Sequence, residues 1–169
     1  MKTKIVSLVA ASMLLAGSLQ AGSTFISAGY AGVNIDGVSS SGVLIDLGAK
    51  FGETFKQKIG TRYIFIGEND DLKDGQGNLG EVYYSLGFEV LSSTILSAKI
   101  GFGFESLGSV GTGSSKTTAY ATGLSYGAGL TYEISDSFDI GLNYTKNDLS
   151  YLESNFSVDV MDASVSYKF

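Results

Sequence analysis

The 169-residue sequence contains no histidine, no cysteine, no proline and no tryptophan. The missing cysteine rules out disulfides and thiolate metal ligands, so the chain must hold itself together by packing and backbone pairing. The missing histidine removes the usual general base near neutral pH and leaves a serine beside a carboxylate with no group to take its proton. Basic charge is scarce as well, with 11 lysines and arginines against 17 acidic residues and no basic patch, which disfavours nucleic acid and other polyanions as partners. Past the first 21 residues there is also no run of 18 or more apolar residues, so no transmembrane helix is expected.

What is there begins with "MKTKIVSLVAASMLLAGSLQA": two lysines, an apolar stretch too short to span a bilayer, then small residues. This pattern predicts a secretory signal peptide over 1–21, cleaved near Ala21, and one mature domain over 22–169. Ser18 stands where a lipid-carrying cysteine would follow Leu15-Ala16-Gly17, so no lipid anchor is expected. Removing Lys2 and Lys4 leaves 9 basic residues against 17 acidic ones, a net charge of −8. Glycine, at 23 residues, is well above its usual share of about 7%.

An exported chain of positive mean hydropathy without a long apolar run is suited to a membrane only as a closed barrel, in which every strand pairs its backbone groups within lipid. The mature sequence divides accordingly into alternating segments at 24–35, 42–51, 56–67, 79–90, 94–106, 117–133, 137–147 and 157–169. The short connections 52–55, 91–93 and 135–137 read as tight periplasmic turns. The longer ones, 36–41, 68–78, 107–116 and 148–156, read as outward loops. The fold expected is therefore all-β, an eight-stranded antiparallel up-and-down transmembrane barrel with both termini in the periplasm.

One face of these segments is apolar, for example Val43, Ile45, Leu47 and Ala49, or Leu96, Ala98, Ile100, Phe102 and Phe104. The other carries Asp46, Lys50, Lys58, Arg62, Glu81, Glu89, Lys99, Glu105, Glu133, Asp139, Asp162 and Lys168 among Gly and Ser. Strand one changes parity between Ile26, Ala28, Tyr30 and Val33, Ile35, which suggests a bulge near Gly32. The aromatics decide which face is outside. Tyr63, Phe65, Tyr84, Phe102, Phe104, Tyr120 and Tyr144 fall toward the loop end, and Phe51, Phe88, Tyr132, Phe138, Tyr167 and Phe169 toward the turn end. Two aromatic girdles around an aliphatic band describe a lipid-facing surface, whereas a soluble core has no reason to sort its aromatics by height.

The closing "VSYKF" and the segment "YGAGLTYEISDSFDIGLNY" (126–144) resemble the small eight-stranded outer membrane barrels of the outer membrane protein X, Ail and OmpA transmembrane-domain kind. The resemblance implies a Gram-negative outer membrane location among lipid and lipopolysaccharide. It also implies that the terminal strand, with Val165, Tyr167 and Phe169 outward, is the part recognised by the barrel assembly machinery during insertion.

Eight strands leave an interior just wide enough for side chains to fill. The inward charges therefore read as a buried salt-bridge network, with Arg62 and Lys99 as hubs, Glu81, Glu89 and Glu105 as partners, and Glu133 and Asp139 nearer the turns. Inward glycines 101, 103, 123, 127 and 129 thin the lining and leave room for a water-filled cavity. Barrel enzymes that modify lipids or cut proteins resemble one another in using a histidine base, so no enzyme is expected, and Ser115-Lys116 reads as loop composition. "DDLKDGQGNLGE" (70–81) matches a calcium loop at Asp70, Asp74, Gly75 and Glu81 but fails at Leu72, leaving at most weak divalent binding. No cofactor is expected. The function expected is a monomeric structural or surface-interaction barrel, with Tyr151, Leu152 and Phe156 as loop contacts. The alternative is a narrow porin-like channel or a conduit for small or hydrophobic solutes.

Overall fold

The computed structural model describes residues 22–67, 78–110, 117–152 and 154–169, with the side chains of 107–110 and 117–119 excepted. The strands are β1 (Ser23–Ile35), β2 (Val38–Phe51), β3 (Phe55–Ile66), β4 (Asn78–Leu91), β5 (Thr94–Val110), β6 (Thr117–Glu133), β7 (Phe138–Tyr151) and β8 (Ser154–Lys168). Each pairs with its sequence neighbour, and β1 also pairs with β8, so the sheet closes into an eight-stranded antiparallel barrel. At the seam the ends of the chain meet. Thr24 N–H donates to the Phe169 carbonyl at 3.2 Å and Phe169 N–H to the Thr24 carbonyl at 3.0 Å.

Strict alternation sets the two faces. Ile100, Leu142, Leu124, Val43 and Val165 point outward and are more than half exposed, an arrangement that costs stability in water and gains it in lipid, by about 1.5–3 kcal/mol for each large aliphatic side chain. Aromatic contacts gather at both rims of this surface: Tyr63 with Phe65 and Phe104 at the loop end, and Phe138, Tyr167 and Phe169 at the turn end. Tyr84 differs from expectation. It pairs with Ile59 well below the loop end, and its hydroxyl donates to Gln57 Oε1 at 2.7 Å, toward the turns.

Two of the expected outer loops are tight hairpins. The segment 36–41 reduces to the turn Asp36-Gly37, with φ of 47° and 93°, and Ile35 pairs directly with Val38. A two-residue turn that continues the strand twist needs positive φ at both positions, which Asp-Gly adopts readily, and Asn34 Oδ1 accepts the Gly37 N–H at 3.0 Å. The segment 148–156 is likewise mostly strand, since β7 continues to Tyr151 and β8 begins at Ser154. Longer pairing is favoured here because each added inward residue finds an apolar partner.

The bulge expected near Gly32 is absent. The β1 register runs without a shift against β2 and β8, so Val33 and Ile35 simply face inward. They belong to an apolar cluster that fills the loop end of the lumen: Ala31, Val33, Leu44, Ile64, Ile66, Leu79, Ala121, Leu149, Val158 and Val160, with Ile35, Tyr151 and Phe156 packed against it. Tyr151 and Phe156, expected as loop contacts, thus pack inward, while Leu152 at the hairpin tip is 86% exposed. Among the described residues the lumen is mostly polar from its middle to its turn end and mostly apolar at its loop end, where Glu105 and Asn147 are the buried polar side chains.

Candidate functional site

Below the apolar cap, β2 and β3 place Asp46 directly opposite Arg62, and β3 and β4 place Arg62 directly opposite Glu81. Closure of the barrel brings β8 across the lumen, where Asp162 accepts from Arg62 Nη1 at 2.8 Å; Asp46 is 3.7 Å from Nη2. Asn143 Nδ2 donates to the other Asp162 oxygen at 2.8 Å. Lys99 reaches Glu81 at 2.7 Å, and Ser125 also donates to the Glu81 carboxylate. These charges are almost wholly removed from water, where a lone ion would be costly and a paired, hydrogen-bonded one is tolerated.

Tyr83 lies between the two hubs. Its hydroxyl donates to Asp46 Oδ2 at 2.7 Å, and its ring carries Arg62 and Lys99 at 5.6 and 5.1 Å from the centroid. Sequence reasoning missed it because an aromatic on an otherwise polar face was not weighed as a lumenal group; its parity with Glu81 and Ser85 was the available signal.

Toward the turn end a second group forms. Asp139 pairs with Lys50 and, at 2.9 Å, with Lys168, which is also 3.2 Å from Glu133. Lys58 makes no ion pair among the described residues; its Nζ donates to Thr131 Oγ1 at 3.4 Å and lies beside the buried Phe25 ring with Lys50. Below it the lumen opens into a mouth of about 260 Å³ bordered by Lys50, Lys56, Lys58, Glu133, Asp136 and Lys168.

Two expected network members stand elsewhere. Glu89 stands opposite Ile95 near the end of β4, just before a register shift at the turn, where it is exposed and accepts the Ser93 N–H at 3.1 Å. Glu105 is buried, but it pairs across the sheet with Leu79 and Ala121 at the level of the cap. Six residues, about 20 Å, separate it from Lys99 along β5, and its Oε2 has no hydrogen-bond partner.

The thin glycine wall is filled rather than wet. A Cβ on Gly129 would lie 2.3 Å from Asn143 Oδ1, and one on Gly103 would lie 2.7 Å from Asn147 Oδ1, so these glycines let the amides of β7 lie flat against the adjoining wall of β6 and β5. The cavity that remains, about 30 Å³ among Asp46, Lys58, Arg62, Tyr83 and Lys99, has room for about one water. Of the expected calcium loop, Asp70 and Asp74 lie outside the described residues. Glu81 is on β4, facing the lumen and engaged by Lys99 and Ser125, which removes it from a loop site.

A closed antiparallel ring with an apolar outer wall and ion pairs inside it defines a small transmembrane β-barrel. Residues 6–169 match the family described as the outer membrane protein beta-barrel domain, and the chain belongs to that family. Among solved structures it is similar to Neisserial surface protein A, with 17% identity over 88% of this chain and 97% of that one and a TM-score of 0.61. It is also similar to Ail, the attachment invasion locus protein of Yersinia pestis, with 20% identity over 89% of this chain and 100% of that one and a TM-score of 0.61. The N-terminal β-barrel domain of Pseudomonas aeruginosa OprF aligns at 14% identity over 88% of this chain and 99% of that one, with a TM-score of 0.53. These likenesses carry the fold, and the family carries the location in the outer membrane. No curated protein matches the sequence.

Proposed function

We propose that the protein is a closed outer membrane barrel with a structural or surface-interaction role, not a pore and not an enzyme. The observation that carries this reading is the apolar cap. Leu44, Ile64, Leu149, Val158 and Val160 are at most 1% exposed and fill the loop end of the lumen above an ion-paired belt. An ion passing through would have to leave water in that layer, where Glu105 is the one buried charged side chain among the described residues. The alternative, a narrow channel or solute conduit, draws support from the wet mouth at the turn end, but that mouth leads to the cap.

On this reading residues 1–21 are a cleaved signal peptide of a Gram-negative exporter, and the barrel works as a monomer among outer membrane lipid and lipopolysaccharide. Val165, Tyr167 and Phe169, outward on β8, are the residues offered to the assembly machinery. Ail has been solved with the heparin analogue sucrose octasulfate. Polyanion binding does not transfer to this chain, whose acidic residues outnumber its basic ones by 17 to 11.

Single-channel recording of the refolded protein in a planar bilayer tests the reading. Silence is expected for the wild type and for Arg62→Ala, because the cap seals the lumen independently of the belt. Stable conductance steps in the wild type that change with Arg62→Ala would replace this reading with a pore.

A further inference from the structure

The lysines at the turn end of the lumen outnumber the carboxylates that serve them. Lys50 of β2 and Lys58 of β3 are directly opposite each other in register, and both ammonium groups lie beside the buried Phe25 ring, 5.3 and 6.0 Å from its centroid. Like charges placed directly opposite destabilise a sheet unless a charge of the other sign serves both. Asp139 is shared by Lys50 and Lys168, and Glu133 is taken by Lys168, so three ammonium groups face two carboxylates and Lys58 is left over. Above it, Asp46 is engaged by Arg62 and Tyr83. Of its three N–H donors Lys58 uses one, on Thr131 Oγ1 at 3.4 Å.

Lys58 also stands where a solute can reach it. Among the described residues it alone borders both the mouth of about 260 Å³ and the cavity of about 30 Å³ above, so it forms part of the floor of the mouth. The rim has the opposite balance. Glu53 and Asp136 border the mouth from exposed positions in the turns and outnumber Lys56 there. Lys58 lies three strand residues, about 10 Å, inside the first residue of β3. The floor therefore lacks one negative charge, and the rim lacks one positive charge about a strand turn's length away. A dianion suits the floor and is repelled at the rim, and a dication does the reverse. A molecule carrying one charge of each sign suits both.

We infer that the turn-end mouth is a binding site for a small zwitterionic solute, with its carboxylate inward on Lys58 and its ammonium group outward toward Glu53 and Asp136. The site stops below the ion-paired belt, so it goes beyond the closed-barrel reading without opening the lumen. That reading places the turn end in the periplasm, which makes the solutes within reach periplasmic ones.

The test is a titration of the isotope-labelled barrel, in micelles of an uncharged detergent, with 6-aminohexanoate, adipate and 1,6-diaminohexane, followed by the backbone amide resonances of Lys58 and its neighbours. The zwitterion is expected to give a saturable shift. It should bind a few-fold more tightly than adipate, the scale of exposed charge pairs, and about tenfold more tightly than the diamine, the scale of a hydrogen bond to a charged group. Lys58→Met keeps the stem and removes the charge facing Lys50, so folding is not endangered; it should weaken 6-aminohexanoate about tenfold. Glu53→Gln combined with Asp136→Asn alters only exposed turn side chains and should bring adipate level with 6-aminohexanoate. No saturable shift in the wild type, adipate or the diamine binding as tightly as the zwitterion, unchanged affinity in Lys58→Met, or displacement by equimolar chloride would overturn the site. Bilayer recordings of the same protein separate the two failures: silence with no binding would sink only the site, whereas conductance alongside binding would sink only the closed-barrel reading.

Discussion

Arg62 is the residue on which the lumen depends most. It holds Asp46 and Asp162 on strands that are distant in sequence, and removing one member of such a buried set strands the others. Asp162→Ala is expected to lower the unfolding free energy in urea by about 3–5 kcal/mol. Tyr83→Phe leaves Asp46 short of a donor and should cost about 1.5–3 kcal/mol in the same titration. Half of this site was legible before the structure. Asp46 lies six residues before the turn at 52–55 and Arg62 seven after it, so a hairpin alone brings them close. Asp162 meets Arg62 only after the ring closes, and no local pattern reports that. Glu105 keeps the inward parity of Glu81 yet rises into an apolar layer, because parity gives a face and not a height.

At the scale of elements, the hairpins decide how far the wall extends beyond the lipid. Gly37 has φ of 93°, a conformation that a residue with a branched side chain adopts only under strain. Gly37→Val should destabilise the barrel by about 1–2 kcal/mol in urea unfolding while leaving Leu149 and its neighbours packed. Leu149→Ala attacks the cap itself and should cost about 2–5 kcal/mol. Strand number and order were readable from alternation and turn residues. The cap was not, because the reading assumed one polarity for the whole inner face. Leu149 falls in the segment expected as a loop and Val33 in the expected bulge, while Leu44, Ile64 and Val158 lie in expected strands on the face read as polar. "DG" between Ile35 and Val38 was the signal for a tight hairpin, outweighed by the three serines that follow.

Taken whole, the molecule is a ring of strands whose two ends are hydrogen-bonded to each other through Thr24 and Phe169. The position of the chain break is therefore a matter of biosynthesis and not of architecture. A circular permutant that joins the neighbourhood of Ser23 to Phe169 through a short linker, and opens the chain between Val110 and Thr117, keeps every pairing of the ring. It should fold in detergent with native urea resistance. In cells it should fail to insert, since β8 and its outward Tyr167 and Phe169 no longer end the chain. The seam thus offers a way to separate what the barrel needs in order to be stable from what a cell needs in order to build it.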